Sequence, residues 1–277
     1  MTAANAKSQV IRQALQEAAL IVGRLEALVL LGHVLGKARE FLIAHDDEVI
    51  EPEALLEFRS LVDLRHSGIP LPYLTGRQEF YGRWFHVTDS VLIPRPDTEV
   101  LIEQALIVAA DAPKILDLGT GSGCIAVTLA LEIPQADVVA TDAVPDAVTV
   151  AEENAKSLGA RVAFRQGFWW NAVEDDERFD LIVSNPPYIH PDDEHLRNLT
   201  HEPLGALTDG IDGLEAIREI VAGAMGHLRH GGWLLLEHGW DQGSEVSRML
   251  KDAGFAAVRT VKDYGGNDRV TMGRKAD

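Results

Sequence analysis

From Lys114 onward the sequence alternates short apolar runs with longer amphipathic ones, and this alternation restricts the fold more than any other feature of the chain. Residues 114–118, 137–141, 161–166, 179–183 and 232–237 read as strands, and 124–132, 145–158, 213–228 and 244–253 as helices. Strands that alternate with helices run parallel, with helices covering both faces. The pattern therefore predicts a doubly wound, mostly parallel α/β sheet. The last two strands, 256–262 and 269–274, are joined through Tyr264-Gly265-Gly266-Asn267, too short for a crossover, which predicts an antiparallel edge. Sheets of this kind bind ligands beyond the carboxyl ends of their strands. The chemistry is expected in the residues that end each apolar run.

Three such endings carry reactive or recognising groups. The first strand runs into Asp117-Leu118-Gly119-Thr120-Gly121-Ser122-Gly123. Its glycines let the backbone come close to a ligand, and the following helix aims unpaired N–H groups at that space, favouring a carboxylate or phosphate. The second strand ends at Asp142, at the right distance along the chain to accept hydrogen bonds from ribose hydroxyls. The strand 179–183 is followed by Ser184-Asn185-Pro186-Pro187-Tyr188. Two prolines remove two backbone donors and stiffen the turn, leaving the carbonyls of Asn185 and Pro186 few local partners. Together with the side-chain carbonyl of Asn185 and the ring of Tyr188, they could grip a planar NH2 group. Asn-Pro by itself is a common turn. The glycine loop suits a dinucleotide as well as S-adenosylmethionine. A dinucleotide enzyme needs a second mononucleotide half or a hydride-transfer site. Here the fourth strand ends in Asn-Pro-Pro-Tyr, which favours methyl transfer to a planar nitrogen.

The chain ahead of this region has a different pattern. Residues 1–70 carry four helical segments. The first has Val10, Ile11, Leu15, Ala18, Ala19 and Val22 at helical spacing and stops at Gly23; 24–35 and 39–44 follow; Pro52 opens the fourth. They read as a small helical bundle, a domain expected to recognise a macromolecular substrate. Ile69-Pro70-Leu71-Pro72 is expected not to continue a helix. Residues 71–96 read as an ordered connector with a short β-hairpin around Gly82, and 97–277 as the cofactor-binding domain. Asp97 or Thr98 is expected to cap the helix that opens it. The net charge of -18 speaks against holding a nucleic-acid backbone on a broad basic surface. The single cysteine, Cys124, excludes an internal disulfide and suits a reducing compartment. No Cys and His cluster has zinc spacing, so no metal is expected. The N-terminus has no signal pattern and the longest apolar stretch, 27–31, is far short of a membrane span, so a cytoplasmic location is expected.

The motifs Pro72-Tyr73-Leu74-Thr75-Gly76, Glu79-Phe80-Tyr81-Gly82, Leu92-Ile93-Pro94-Arg95-Pro96-Asp97-Thr98-Glu99, 117–123, Asn185-Pro186-Pro187-Tyr188-Ile189, Glu202-Pro203, Ala206-Leu207, Asp209-Gly210, Asp212-Gly213-Leu214 and Gly266-Asn267-Asp268-Arg269 span nearly the whole chain. Through them it resembles the class I S-adenosylmethionine-dependent methyltransferases of amino-type nitrogen, and among these the HemK family of protein-(glutamine-N5) methyltransferases of peptide-chain release factors. The Ile-Pro-Arg-Pro-Asp-Thr-Glu run discriminates best, because DNA adenine methyltransferases share Asn-Pro-Pro-Tyr but lack it. The resemblance implies a seven-stranded, Rossmann-like sheet. It implies that Asp117, Leu118, Gly119, Thr120 and Gly121 line the methionine end of S-adenosyl-L-methionine. Asp142 would hold the ribose, and Trp169 or Trp170 would lie against the adenine. Asn185, Pro186, Pro187 and Tyr188 would hold the glutamine of a Gly-Gly-Gln loop. S-adenosyl-L-homocysteine would be the product. Arg95, Glu202 and Glu79 are candidates for substrate contacts, or equally for ion pairs that fix the connector. The implied partner is a release factor, met by a monomer without nucleic acid or membrane. The family usually has an acid after Gly167, able to accept from the adenine amino group, whereas this chain has Phe168. Either a backbone carbonyl reads that group or selectivity rests on shape and stacking.

Three other readings compete. A nucleic-acid adenine or cytosine amino methyltransferase would share Asn-Pro-Pro-Tyr but lacks support from the acidic composition. A cofactor-binding regulator would not need Asn-Pro-Pro-Tyr. A dehydrogenase would need nicotinamide binding.

Overall fold

The structure, a computed structural model, describes residues 9–111 and 113–276. The chain divides into two compact units, one ending at Arg77 and the other beginning at Gln78.

The first unit contains β1 (Gln9–Val10), α1 (Ile11–Val22), α2 (Arg24–Leu35), α3 (Arg39–Ala44), β2 (Val49–Ile50), α4 (Pro52–His66) and α5 (Leu71–Thr75). Its core gathers the inward faces of these helices, including Ile11, Ala18, Leu30, Leu31, Leu42 and Phe58. Two details differ from the sequence reading. Val10 is not helical; it pairs with Val49 in a two-residue antiparallel ladder, and Gln9 with Ile50. Leu71-Pro72 does not merely interrupt a helix but opens one. Pro72 sits in the first turn of α5, where a missing N–H leaves no bond unmade. Leu71 and Leu74 pack against the core of this unit.

The second unit starts with a hairpin, β3 (Arg77–Phe80) and β4 (Arg83–His86). Tyr81 and Gly82 between the strands both have positive φ, 50° and 73°, the twist that a two-residue hairpin turn favours. Then follow α6 (Glu99–Val108), β5 (Lys114–Leu118), α7 (Cys124–Glu132), β6 (Asp137–Asp142), α8 (Pro145–Leu158), β7 (Ala163–Gln166), β8 (Phe179–Ser184), α9 (Leu204–Leu207), α10 (Glu215–His227), β9 (Leu228–Glu237), α11 (Gly243–Asp252), β10 (Ala256–Lys262) and β11 (Asp268–Arg274). The seven-stranded sheet has the order β10-β11-β9-β8-β5-β6-β7. Pairs from β9 to β7 are parallel, and β11 is antiparallel to both β9 and β10. Neighbouring residues of a strand face opposite sides. Ile115 thus joins a layer with Leu101, Ile125 and Leu129 of α6 and α7, while Leu116 joins one with Ile220, Val246 and Leu250 of α10 and α11. No helix among the described residues is long and apolar enough to cross a membrane.

The strand order reverses between β5 and β8. An open α/β sheet has its ligand crevice at such a switch point, because the two connections leave in opposite directions.

Candidate active site

Leu118 at the end of β5 is in register with Ser184 at the end of β8, and the Ser184 hydroxyl donates to the Leu118 carbonyl at 2.6 Å. The glycine loop and the Asn-Pro-Pro-Tyr turn therefore leave the sheet side by side. A cleft of about 690 Å³ opens between them, lined by Gly119, Thr120, Gly121, Asp142, Trp169, Arg95, Asn185 and Pro187. A smaller one of about 360 Å³ is lined by Pro186, Tyr188, Leu199 and Leu207. Asn185 and Arg95 line both.

The glycine loop hangs from the next strand: the N–H groups of Gly119 and Thr120 both donate to the Thr141 carbonyl at 2.9 Å. Gly119 has φ 74°, and a Cβ there would stand 3.2 Å from the Trp169 ring, so only glycine fits without displacement. Asp117 and Leu118 do not line the cleft as expected. Both are fully buried, since their side chains lie within the sheet layers. Asp117 shapes the loop from beneath. Its Oδ2 accepts from Thr120 Oγ1 at 2.6 Å and from the Ala126 N–H at 3.2 Å, while Oδ1 has no partner. Burial pushes its carboxyl up to about 7. Asp142 does line the cleft. Its two oxygens accept from the N–H groups of Gly121 at 2.8 Å and Val144 at 2.9 Å, which fixes the carboxylate and leaves further lone pairs for a ligand. Burial raises its pKa despite these bonds.

The two tryptophans separate. Trp169 lines the cleft at φ 43°, a left-handed conformation that a bulky residue rarely takes, and its buried Nε1 has no partner. Trp170 lies elsewhere. Its Nε1 donates to the Glu219 carbonyl at 2.9 Å and its ring stacks on His227, 4.8 Å between centroids and 5° between planes. It rests over Gly223, where any Cβ would collide with it. Trp170 does not line the cleft. Phe168, in place of the usual acid, is half exposed and lines the cleft, its ring 5.4 Å from that of Trp169.

Asn185 presents its amide between the clefts. Its Nδ2 donates to Thr98 Oγ1 at 3.2 Å, and its buried Oδ1 has no partner. Tyr188 is held from both ends. Its hydroxyl donates to Glu237 Oε1 at 3.4 Å, and its carbonyl accepts from Gln242 Nε2 at 2.9 Å. A Cβ on Gly213 would lie 2.4 Å from that same carbonyl, so this glycine is needed for the close approach. Burial, then the nearby Glu237, raise the Tyr188 pKa. Glu237 is itself buried, which pushes its carboxyl up to about 7. Arg95 and Glu202 form an ion pair, and Glu202 Oε2 also accepts from the Ile93 N–H at 3.2 Å. The pair ties the 92–96 segment to the loop before α9. Glu79 accepts from the Gly82 N–H at 2.6 Å in the hairpin turn and lines neither cleft.

Neither Asp97 nor Thr98 caps α6. Pro96–Thr98 is a 3-10 turn, Thr98 is already helical at φ -66° and ψ -18°, and no side-chain cap bond forms. Thr98 instead turns to Asn185, and Asp97 faces Arg269 at 3.5 Å. Three side chains at the site escaped the sequence reading: Thr98 as a partner of Asn185, Glu237 and Gln242. For Glu237 there was a signal, an acid ending the apolar run Trp233-Leu234-Leu235-Leu236 at the ligand edge of the sheet. For Gln242 there was none. Walls from Ile211, Ala216 and Glu219 were also missed, because they come from the loop and helix after the turn.

Residues 9–76 match the PrmC N-terminal domain and residues 96–266 the Methyltransferase small domain. The chain is 49% identical over 254 residues to the release factor glutamine methyltransferase of Bordetella pertussis, covering 90% of this chain and 94% of that one. It is 48% identical over 258 residues to the protein of the same name from Xylella fastidiosa, covering 91% and 94%. Among solved structures, a methyltransferase from Pyrococcus furiosus superposes with a TM-score of 0.56 and 18% identity over 72% of this chain and 91% of its own, a likeness of fold. With near half of all positions shared along nine-tenths of its length, this chain belongs to the release factor glutamine methyltransferase family.

Proposed function

We propose that the chain transfers a methyl group from S-adenosyl-L-methionine to the side-chain amide nitrogen, N5, of the glutamine in the Gly-Gly-Gln motif of peptide-chain release factors, and so modulates translation termination. The observation that carries this is Asn185 Oδ1: a buried, unpartnered acceptor on a wall common to both clefts. Such an atom costs free energy unless a ligand donor meets it.

The larger cleft fits the cofactor by its own residues. Gly119, Thr120 and Gly121 would take its methionine end, Asp142 its ribose hydroxyls and Trp169 the face of its adenine, with Phe168 closing the edge. Selectivity for adenine then rests on shape and stacking, since Phe168 offers no acceptor. When bound, S-adenosyl-L-methionine supplies an electrophilic methyl carbon on a sulfonium sulfur and leaves as S-adenosyl-L-homocysteine.

An amide nitrogen is a poor nucleophile because its lone pair is shared with the carbonyl. Asn185 Oδ1 and the Pro186 carbonyl accept its two hydrogens and draw the nitrogen toward a pyramidal shape. Pro187 stiffens the turn, and Tyr188, fixed at both ends, limits rotation of the amide. Arg95, paired with Glu202, completes the wall on the substrate side. Positioning and preorganised acceptors do the work, and the amide proton leaves to solvent after transfer. The N-terminal helical region, residues 1–70, with the connector 71–96 after it, would recognise the release factor. Its corner between α1 and α2 exposes Leu20 and Leu25, apolar surface of the kind a protein partner covers. The enzyme would act as a cytoplasmic monomer. The nucleic-acid alternative is not favoured, since the relatives matched along nine-tenths of the chain carry the release-factor name.

The test is mass spectrometry of a release factor incubated with this protein and S-adenosyl-L-methionine. One methyl group should appear on the glutamine of the Gly-Gly-Gln loop. Labelled methyl appearing on DNA or RNA and not on the release factor would overturn the reading.

A further inference from the structure

Pro186 and Pro187 have no N–H to give, so over those two residues the turn has no donor of its own to anchor it. Its exit must be fixed by donors and acceptors from elsewhere. The Ile189 N–H donates to the Leu207 carbonyl at 2.9 Å, and the Tyr188 carbonyl accepts from Gln242 Nε2 at 2.9 Å. Topology brings Gln242 there: β9 runs beside β8 with Leu236 in register with Ser184, so the segment after β9 passes the turn. Gln242 uses its whole amide at this place. Nε2 also donates to the Gly213 carbonyl at 3.1 Å, and Oε1 accepts from the Gly239 N–H at 2.8 Å. These partners fix which end of the amide is nitrogen. Turned by half a revolution, it would set oxygen against two carbonyls and NH2 against an N–H. Gln242 stands just ahead of α11, where a short polar side chain would cap the helix, yet it makes no cap bond. Its amide serves the turn and not the helix.

The geometry points to Gln242 as a positioning residue for the transfer, one that acts through the backbone of Asn-Pro-Pro-Tyr. Its Nε2 draws the Tyr188 carbonyl to one place. With φ fixed at both prolines, few torsions remain between that carbonyl and the one of Pro186, so holding the first sets the second. The bond to Gly213 ties the turn to the loop 208–213, whose Asp209 and Ile211 wall the larger cleft. One amide thus clamps the turn that meets the substrate against the wall that meets the cofactor. The loop keeps its own shape without the clamp, because the Asp209 carboxylate accepts from the N–H groups of Ile211, Asp212, Gly213 and Glu215. Loss of Gln242 therefore frees the turn and spares the cofactor's place. This inference rests on the glutamine-methylating reading of the clefts.

The experiment has two arms on the intact protein. In the first, backbone amide exchange is followed by NMR without substrate. Gln242→Met, of similar shape but with no donor, should speed exchange of the Ile189 N–H by about tenfold or more and leave that of Val183 within β8 unchanged. In the second, methylation of a release factor is measured beside S-adenosyl-L-homocysteine affinity. Gln242→Met should lower kcat by about 10- to 100-fold, the range in which a misplaced reacting group falls. KM for the release factor and affinity for S-adenosyl-L-homocysteine should each stay within about threefold. Gln242→Glu at about pH 8 has the same size but only accepts, so it should be slower still. Because Gln242 acts through the turn, Asn185→Ala/Gln242→Met should be at most about threefold slower than Asn185→Ala alone, whereas a general loss of structure would multiply the two effects. Gln242→Asn, one methylene too short to span the three partners, repeats both arms should Gln242→Met not fold. Wild-type kcat in Gln242→Met or Gln242→Glu, unchanged Ile189 exchange, or a loss confined to S-adenosyl-L-homocysteine affinity would overturn the clamp. Absence of methylation by wild type, with exchange as expected, would overturn the substrate reading and leave the clamp standing.

Discussion

Asn185 is worth most as an oxygen atom. Replacing it by Ala removes an orphaned acceptor on the wall that the two clefts share and leaves Gly119, Thr120, Gly121, Asp142 and Trp169 of the larger cleft in place. Asn185→Ala should lower kcat by about 100- to 1000-fold, as loss of a preorganised polar contact does, with S-adenosyl-L-homocysteine affinity changed by less than about threefold in calorimetry. Gly119→Ala should do the reverse. The added Cβ meets both a positive φ and the Trp169 ring, so cofactor affinity should fall first. Glu237 gives a prediction in stability. Its carboxyl titrates near 7 in the folded protein and near 4.5 in the unfolded chain, so the folded state holds the proton more tightly. The linked stability is full below about 4.5 and is lost as pH rises through about 7. Burial outweighs Thr98, Arg269 and Tyr188, which favour the charged form, while the negative charge of Asp97 opposes it. Glu237→Gln, neutral at every pH, should be more stable than wild type at about pH 8, by roughly 3 kcal/mol, and should unfold at a correspondingly higher temperature. The gain should vanish by about pH 5. No gain at pH 8 would show that the carboxylate is solvated better than its burial indicates.

The helices of the first unit carry their own prediction. Leu20 and Leu25 are 89% and 61% exposed on either side of the Gly23 break. Leu20→Glu/Leu25→Glu leaves the buried core of Ile11, Leu30 and Leu31 untouched, so folding should persist. KM for an intact release factor should rise about tenfold or more, while kcat/KM for a short Gly-Gly-Gln peptide stays the same. An equal loss on both substrates would remove this corner from recognition. Elements such as β5, β8 and β9 were legible because strands buried on both faces write themselves as unbroken apolar runs. The β1–β2 ladder was not, since two residues have no period to detect. Helix α5 was missed because Pro72 signals a break and a first turn equally well.

Over the molecule as a whole, a net charge of -18 repels a polyanion at any distance that salt does not screen. A labelled DNA or RNA duplex should show no retardation with this protein even at low salt. Retardation that fades with salt would reveal a basic face on the folded surface. That the glycine loop and Asn-Pro-Pro-Tyr leave the same edge of the sheet was legible, because parallel strands end on one side; that β5 and β8 are neighbours was not, since the alternation carries no strand order. Nor was it legible which side chains reach across. Thr98 and Asn185 lie 87 positions apart, and the acid that receives the Tyr188 hydroxyl ends β9, 49 positions from that tyrosine. Trp169 and Trp170 are adjacent and of one kind, and only the room left by Gly119 and Gly223 tells them apart. That separation has an optical consequence. Of the two indoles, one borders the space where a nucleoside would stack and the other is locked against an imidazole. Emission quenched on titration with S-adenosyl-L-homocysteine, and unquenched after Trp169→Phe but not after Trp170→Phe, would make this protein report its own occupancy without a label.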